Sequence, residues 1–138
     1  MVEEFFISDN KSKLDTFFIH SYLSEQSYWA KGRSIENVLR SIENSLCFGV
    51  YNLEQKQIGF ARLVTDQVVF AWIMDVFVAK ECRGKGISIK LIDHILQRPE
   101  IADVNGIGLR TNDAHALYGK FGFEKIKNPE TWMLKKRV

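Results

Sequence analysis

The sequence predicts a single layered domain of the α/β (α+β) class, residues 1–138. Three observations carry that prediction. The first 45 residues hold apolar side chains at spacings of three and four, the residues from Leu46 to Ala79 turn strand-like, and helix and strand patterns alternate afterwards. Strands that alternate with helices require at least one parallel pair, since a parallel neighbour is reached only through a crossover. A length of 138 residues fits one domain and supports a core without disulfide or metal staples.

Glu4–Ser8 is a short aromatic run suited to an opening strand. Leu14, Phe17, Phe18 and Tyr22 then share one helical face, with Ser12 or Asn10 as the cap. Ser24–Arg33 has no period and carries Tyr28, Trp29 and Gly32. Ser34 caps an amphipathic helix that uses Ile35, Val38, Leu39 and Ile42. Leu46–Tyr51 and Gln57–Val64 read as strands joined by a polar connection of hairpin length. Val68–Ala79 is apolar and β-branched or aromatic at most positions, the composition of a strand buried on both faces. A helix from Gly86 to Gln97 follows, with Pro99 past its end. Gly106–Arg110 is a further strand. Ala114, Leu117, Tyr118 and Phe121 form a one-sided helix after Asp113, closed by Gly122. Phe123–Ile126 and Trp132–Lys136 complete the chain as short terminal strands.

Composition removes several classes of function. The net charge of +2 gives no concentrated basic face, so no nucleic-acid partner is expected. The longest apolar run, Val68–Met74, is far short of the ~20 residues of a membrane helix, and the N-terminus is acidic where a signal peptide is basic. Cys47 and Cys82 are expected to stay reduced in a cytoplasmic protein. His20, His94 and His115 share no ligand spacing with them, so no metal is expected.

The stretch most informative about chemistry is Asp75–Ser88, in which an apolar strand runs into a glycine-rich turn that opens onto a helix. The first backbone N–H groups of such a helix have no partner within it, and Arg83 and Lys85 add full positive charge. This is the physical description of a phosphate or pyrophosphate site. A Walker A loop needs glycine where Ala79 stands, and a dinucleotide fingerprint needs one where Ile89 stands.

Arg83-Gly84-Lys85-Gly86-Ile87-Ser88 resembles the pyrophosphate loop Arg-x-x-Gly-x-(Gly/Ala) of the GNAT superfamily of acetyl-CoA-dependent N-acetyltransferases. Ser88 departs from the family's small final residue. Downstream, Asn112 and the run Leu117-Tyr118-Gly119-Lys120-Phe121-Gly122-Phe123 resemble the family's segment, an Asn followed by Leu-Tyr-x-Lys-x-Gly-Phe.

The resemblance implies a mixed sheet of about six to seven strands, helices on both faces, and a central parallel pair that splays. It implies acetyl-CoA as cosubstrate, with pantetheine along the backbone of Phe77 and Val78 and pyrophosphate on Gly84, Lys85, Gly86, Ile87 and Ser88, next to Arg83. Asn112 would reach the pantetheine arm and Lys120 a phosphate. Tyr118 would be the general acid, the Phe77 N–H the oxyanion donor, and Asp75, its pKa raised by burial, the base. Tyr28, Trp29 and Arg33 would wall the pocket of a small primary amine, and Arg33 or Arg62 would pair with a carboxylate on it. The oligomer would be a monomer or homodimer. A non-catalytic acyl-CoA-binding domain of the same fold, or an anion- or nucleic-acid-binding module, is the alternative.

Overall fold

A computed structural model describes residues 4–137. Five strands form one mixed sheet in the order β1-β2-β3-β4-β5: β1 Phe5–Ser8, β2 Leu46–Asn52, β3 Gln57–Thr65, β4 Phe70–Val78 and β5 Gly106–Gly108. The first four are antiparallel and the β4–β5 pair is parallel. Among the described residues four α-helices accompany them: α1 Thr16–Ser21, α2 Ile35–Glu43, α3 Ile87–Leu96 and α4 His115–Gly119. The α/β class, the parallel pair and helices on both faces follow the sequence reading, but among the described residues the pair lies at the edge of the sheet and not at its centre, because β5 has no further strand beside it.

Alternation along the strands sorts the core into two layers. Cys47 and Phe60 face α1 and α2, where Ile19, Leu23, Val38 and Ile42 are buried. Their neighbours Phe48 and Ala61 face α3, whose Leu91, Ile92 and Ile95 are fully buried. Each such aliphatic side chain contributes about 1.5–3 kcal/mol.

Local signals fix the helix starts. Ser34 Oγ accepts the Asn37 N–H at 3.2 Å, as its position before α2 predicts. The cap of α1 is Asp15, whose Oδ1 accepts the Phe18 N–H at 3.0 Å. Asn10 caps a separate 3-10 turn, Lys11–Lys13, so the helix starts later than the apolar spacing suggests. Past Ser21, α1 runs into a π-turn over Tyr22–Gln26.

Two expectations about strands need correction. Phe123–Ile126 and Trp132–Lys136 are not strands, so the sheet among the described residues has five rather than six or seven. Ile126 and Met133 lie open to solvent, and burial this slight does not offset the entropy of ordering a strand. Trp132 is tied in by its ring, 5.9 Å from that of Trp72. Nor is β4 buried on both faces: Trp72, Met74 and Val76 are half-buried, because they border a cavity. Among the described residues no helix is long and apolar enough to cross a membrane.

Candidate functional site

The site begins where two parallel strands stop pairing. β4 and β5 match at Phe70/Gly106, Ala71/Ile107 and Trp72/Gly108. Beyond that point Ile73–Val78 keeps β3 on one side and, among the described residues, has no strand on the other. The Trp72 ring lies across Gly108 so closely that a Cβ there would stand 2.6 Å from a ring carbon. A cavity of about 450 Å³ fills the gap, walled by Met74–Val76, Leu109–Asn112, Tyr118 and the Tyr28–Arg33 connection.

A β-bulge shapes the β4 wall. Phe60 pairs with Phe77 and Arg62 with Met74, so Asp75 and Val76 together oppose the single residue Ala61. Asp75 takes a left-handed φ of +54°. The extra residue reverses the alternation: Ala71 and Ile73 face the α3 layer, whereas after the bulge Phe77 faces the α1–α2 layer and Val78 the α3 layer. The same geometry corrects one expectation. The Ala79 N–H bonds the Ile58 carbonyl at 2.8 Å, so alternation by two turns the Phe77 N–H towards Phe60, away from the gap. The backbone of Val78 faces outward.

Asp75 itself is buried in a set of three donors. Its Oδ2 accepts Arg33 Nη1 at 2.8 Å and Arg62 Nε at 2.7 Å, and its Oδ1 accepts Trp29 Nε1 at 2.9 Å. Burial acts to raise the carboxyl pKa, but the charges and hydrogen bonds of Arg62 and Arg33 outweigh it and hold the pKa below the usual carboxylate value. The expectation of a burial-raised pKa is therefore overturned, and a carboxylate held ionised in two ion pairs is poorly suited to taking a proton. Arg62 is spent in turn, with Nη1 on Ser45 Oγ at 2.8 Å and Nη2 against Met74 Sδ at 3.6 Å.

The loop after β4 matches the needs of a phosphate group. Gly84 and Gly86 adopt φ of +82° and +77°, which side-chain-bearing residues rarely take. Gly86 caps α3 without a side chain, and the first helical bond runs from the Lys90 N–H to the Gly86 carbonyl. The N–H groups of Ile87, Ser88 and Ile89 are thus left without helical partners. Ile87 buries its side chain in the core and offers only backbone, and Ser88 lines a hollow of about 210 Å³ with Val78, Cys82 and Leu117. Arg83 does not project freely: Nη2 donates to the Tyr22 hydroxyl at 2.6 Å and Nε to the Val78 carbonyl at 3.3 Å. Arg83 is nonetheless exposed, as is Lys85. The residues present therefore suit the pyrophosphate of a coenzyme.

On the opposite wall, Tyr118 of α4 is buried and its pKa is pushed up to about 12, by burial first and then by Tyr28 and Asp113. Tyr28 packs edge-on against Trp29, 5.0 Å between ring centroids, and its hydroxyl accepts the Asn112 N–H at 2.9 Å. The Ser24–Arg33 connection is thereby fastened to both sides of the gap, to Asp75 through Trp29 and Arg33 and to Asn112 through Tyr28. Lys120 is exposed just past α4. Phe77, on the far side of β4, stacks on Tyr22 with centroids 4.0 Å apart. Tyr22 and Ser45 escaped the sequence reading, since an apolar face and a helix end account for them. Arg62 carried a signal, an arginine inside an apolar strand.

Comparison with known proteins agrees with this geometry. Residues 43–125 match the family model of the acetyltransferase (GNAT) domain. A crystal structure from Xanthomonas campestris pv. campestris, described as belonging to the GNAT family, is 36% identical and superposes with a TM-score of 0.95, covering 99% of this chain and 96% of that one. An uncharacterised N-acetyltransferase of Pyropia yezoensis is 27% identical over 93% of this chain and 74% of its own length. Glucosamine-6-phosphate N-acetyltransferase from Arabidopsis thaliana shares the fold at 16% identity, with a TM-score of 0.71 over 98% of this chain and 99% of that one. A parted parallel pair, a glycine loop that opens α3, and these matches together make the chain a member of the GNAT acetyltransferase family.

Proposed function

We propose that this protein transfers the acetyl group of acetyl-CoA directly to a primary amine of a small molecule. The observation that carries the reading is the 450 Å³ cavity at the parting of β4 and β5, continuous in chain order with the glycine loop and floored by Tyr118. Its volume is in the range of small-molecule sites. Acetyl-CoA, as cosubstrate, supplies an activated thioester. Its pyrophosphate would rest on the N–H groups of Gly84, Lys85, Gly86, Ile87 and Ser88, and its pantetheine arm beside the outward backbone of Val78 and near Asn112. Lys85 and Lys120 are exposed cations that would meet phosphates, while Arg83 holds the loop to Tyr22.

The neutral amine attacks the thioester carbonyl carbon, forming the C–N bond as the carbonyl oxygen takes the electron pair. A backbone N–H of β4 receives that oxyanion, and alternation around Phe77 assigns it to Val76, which borders the cavity. Collapse breaks the C–S bond and releases the CoA thiolate. Tyr118, kept protonated by its raised pKa, donates to the sulfur and recovers its proton from solvent. The amine's surplus proton leaves to water, since Asp75 is occupied by Arg33 and Arg62.

The test is thiol release from acetyl-CoA across a panel of primary amines, with calorimetric titration of CoA. Tyr118→Phe is expected to lower kcat by about 100-fold with CoA affinity unchanged, the size of a lost general acid. Unchanged turnover would remove Tyr118 from the mechanism. CoA binding with no turnover of any amine would favour a non-catalytic acyl-CoA-binding domain.

A further inference from the structure

The charges around Asp75 do not balance, and the imbalance faces the cavity. Two guanidinium groups, Arg33 and Arg62, meet one carboxylate whose oxygens already accept three donors. Arg62 is buried, and its three nitrogens are engaged with Asp75, Ser45 and Met74. The excess positive charge is therefore presented by Arg33, whose side chain is 22% exposed and borders the cavity. Only Nη1 of Arg33 is used, so the Nε and Nη2 edge has no hydrogen-bond partner among the described residues. That edge is the two-pronged donor that fits the two oxygens of a carboxylate. On the other rim, Arg110 and Asp113 are both exposed and offset one another in formal charge.

We propose that the acceptor amine carries a carboxylate, and that Arg33 binds it through the Nε/Nη2 edge. This rests on the acetyl-transfer reading above and names its substrate class. Asp75 is the positioning residue: it fixes Arg33 by one nitrogen and leaves the opposite edge turned to the ligand, while Trp29 fixes the other carboxyl oxygen. A simple alkylamine or a polyamine finds no free carboxylate on this wall, because Asp75 is spent. An amine with a carboxylate gains the Arg33 fork and excludes water from a guanidinium already partly desolvated, where charge-assisted bonds are strongest.

The experiment compares amines on one carbon skeleton at saturating acetyl-CoA: amino acids, their amides, the matching alkylamines and the matching aminoalkyl phosphates. The expected result is a kcat/KM for the carboxylates at least about tenfold above the amides, the size of one charge-assisted fork. Arg33→Gln should erase most of that preference by raising the acceptor KM, and Arg33→Lys, which keeps the charge and loses the fork, should restore only part of it. Calorimetric CoA binding by each variant reports that the domain is folded. Equal rates for carboxylates and amides, or a preference for phosphates, overturn the carboxylate assignment and leave the transferase reading standing. No thiol release with any amine overturns both.

Discussion

Asp75 shows how much one side chain can be constrained from several directions. Its carboxylate is buried against a buried Arg62, so removing its charge strands a cation that has lost contact with water. Asp75→Asn is expected to cost about 3–5 kcal/mol in chemical denaturation, the usual penalty for breaking a buried pair from one side. The pH dependence has a definite sign. The folded pKa lies below the ordinary value of 3.8, so the native state binds fewer protons there than the unfolded chain. The Asp75 contribution is present above pH 3.8 and is lost as pH falls through the folded value, and Asp75→Asn should remove this part of the acid transition. The sequence marks Asp75 as the one carboxylate in an apolar strand. Its partners are not legible there, because Trp29 and Arg33 lie 46 and 42 residues away and a bulge decides which layer they meet in.

At the scale of elements, the parting of β4 and β5 depends on a close approach. Gly108 leaves room for the Trp72 ring, and a methyl group would stand 2.6–2.7 Å from two of its carbons. Gly108→Ala is expected to displace the ring and to lower stability by about 1–3 kcal/mol, the range for overpacking. Thermal unfolding and the shift of tryptophan emission, as Trp72 leaves its contact with Trp132, would record it. The starts of α2 and α3 and the first four strands are readable in the sequence because a cap, a period or a turn marks each one. The end of the chain is not. Phe123–Ile126 and Trp132–Lys136 have alternation without a face to bury, and pattern alone does not reveal that absence. The start of α1 failed for a different reason, since two capping residues in succession, Asn10 and Asp15, both form caps and the sequence does not say which begins the longer helix.

For the molecule as a whole, the buried protonated groups point the same way. Burial raises Tyr118 and Tyr51 to about 12 and Cys47 to about 11, from 10.0 and 9.0. Between the unfolded and folded values the native state holds more protons, so stability falls as pH rises through that interval. The urea midpoint is expected to be flat to about pH 9 and to drop steadily through pH 11, where Cys47→Ser should delay the onset. The family resemblance is readable over the loop and the Leu117–Phe123 run because these contacts are local in sequence. The cavity wall is not, because it is assembled from distant segments.

That assembly has a consequence for how such a protein diversifies. The family match begins at residue 43, yet Tyr22, Tyr28, Trp29 and Arg33 all precede it. They reach the remainder through Arg83, Asn112 and Asp75. In the acetyl-transfer reading proposed above, recognition of the acceptor and handling of the thioester would thus be written in separate stretches of the gene. New preferences can evolve by rewriting the leading stretch alone, provided its anchoring contacts are retained.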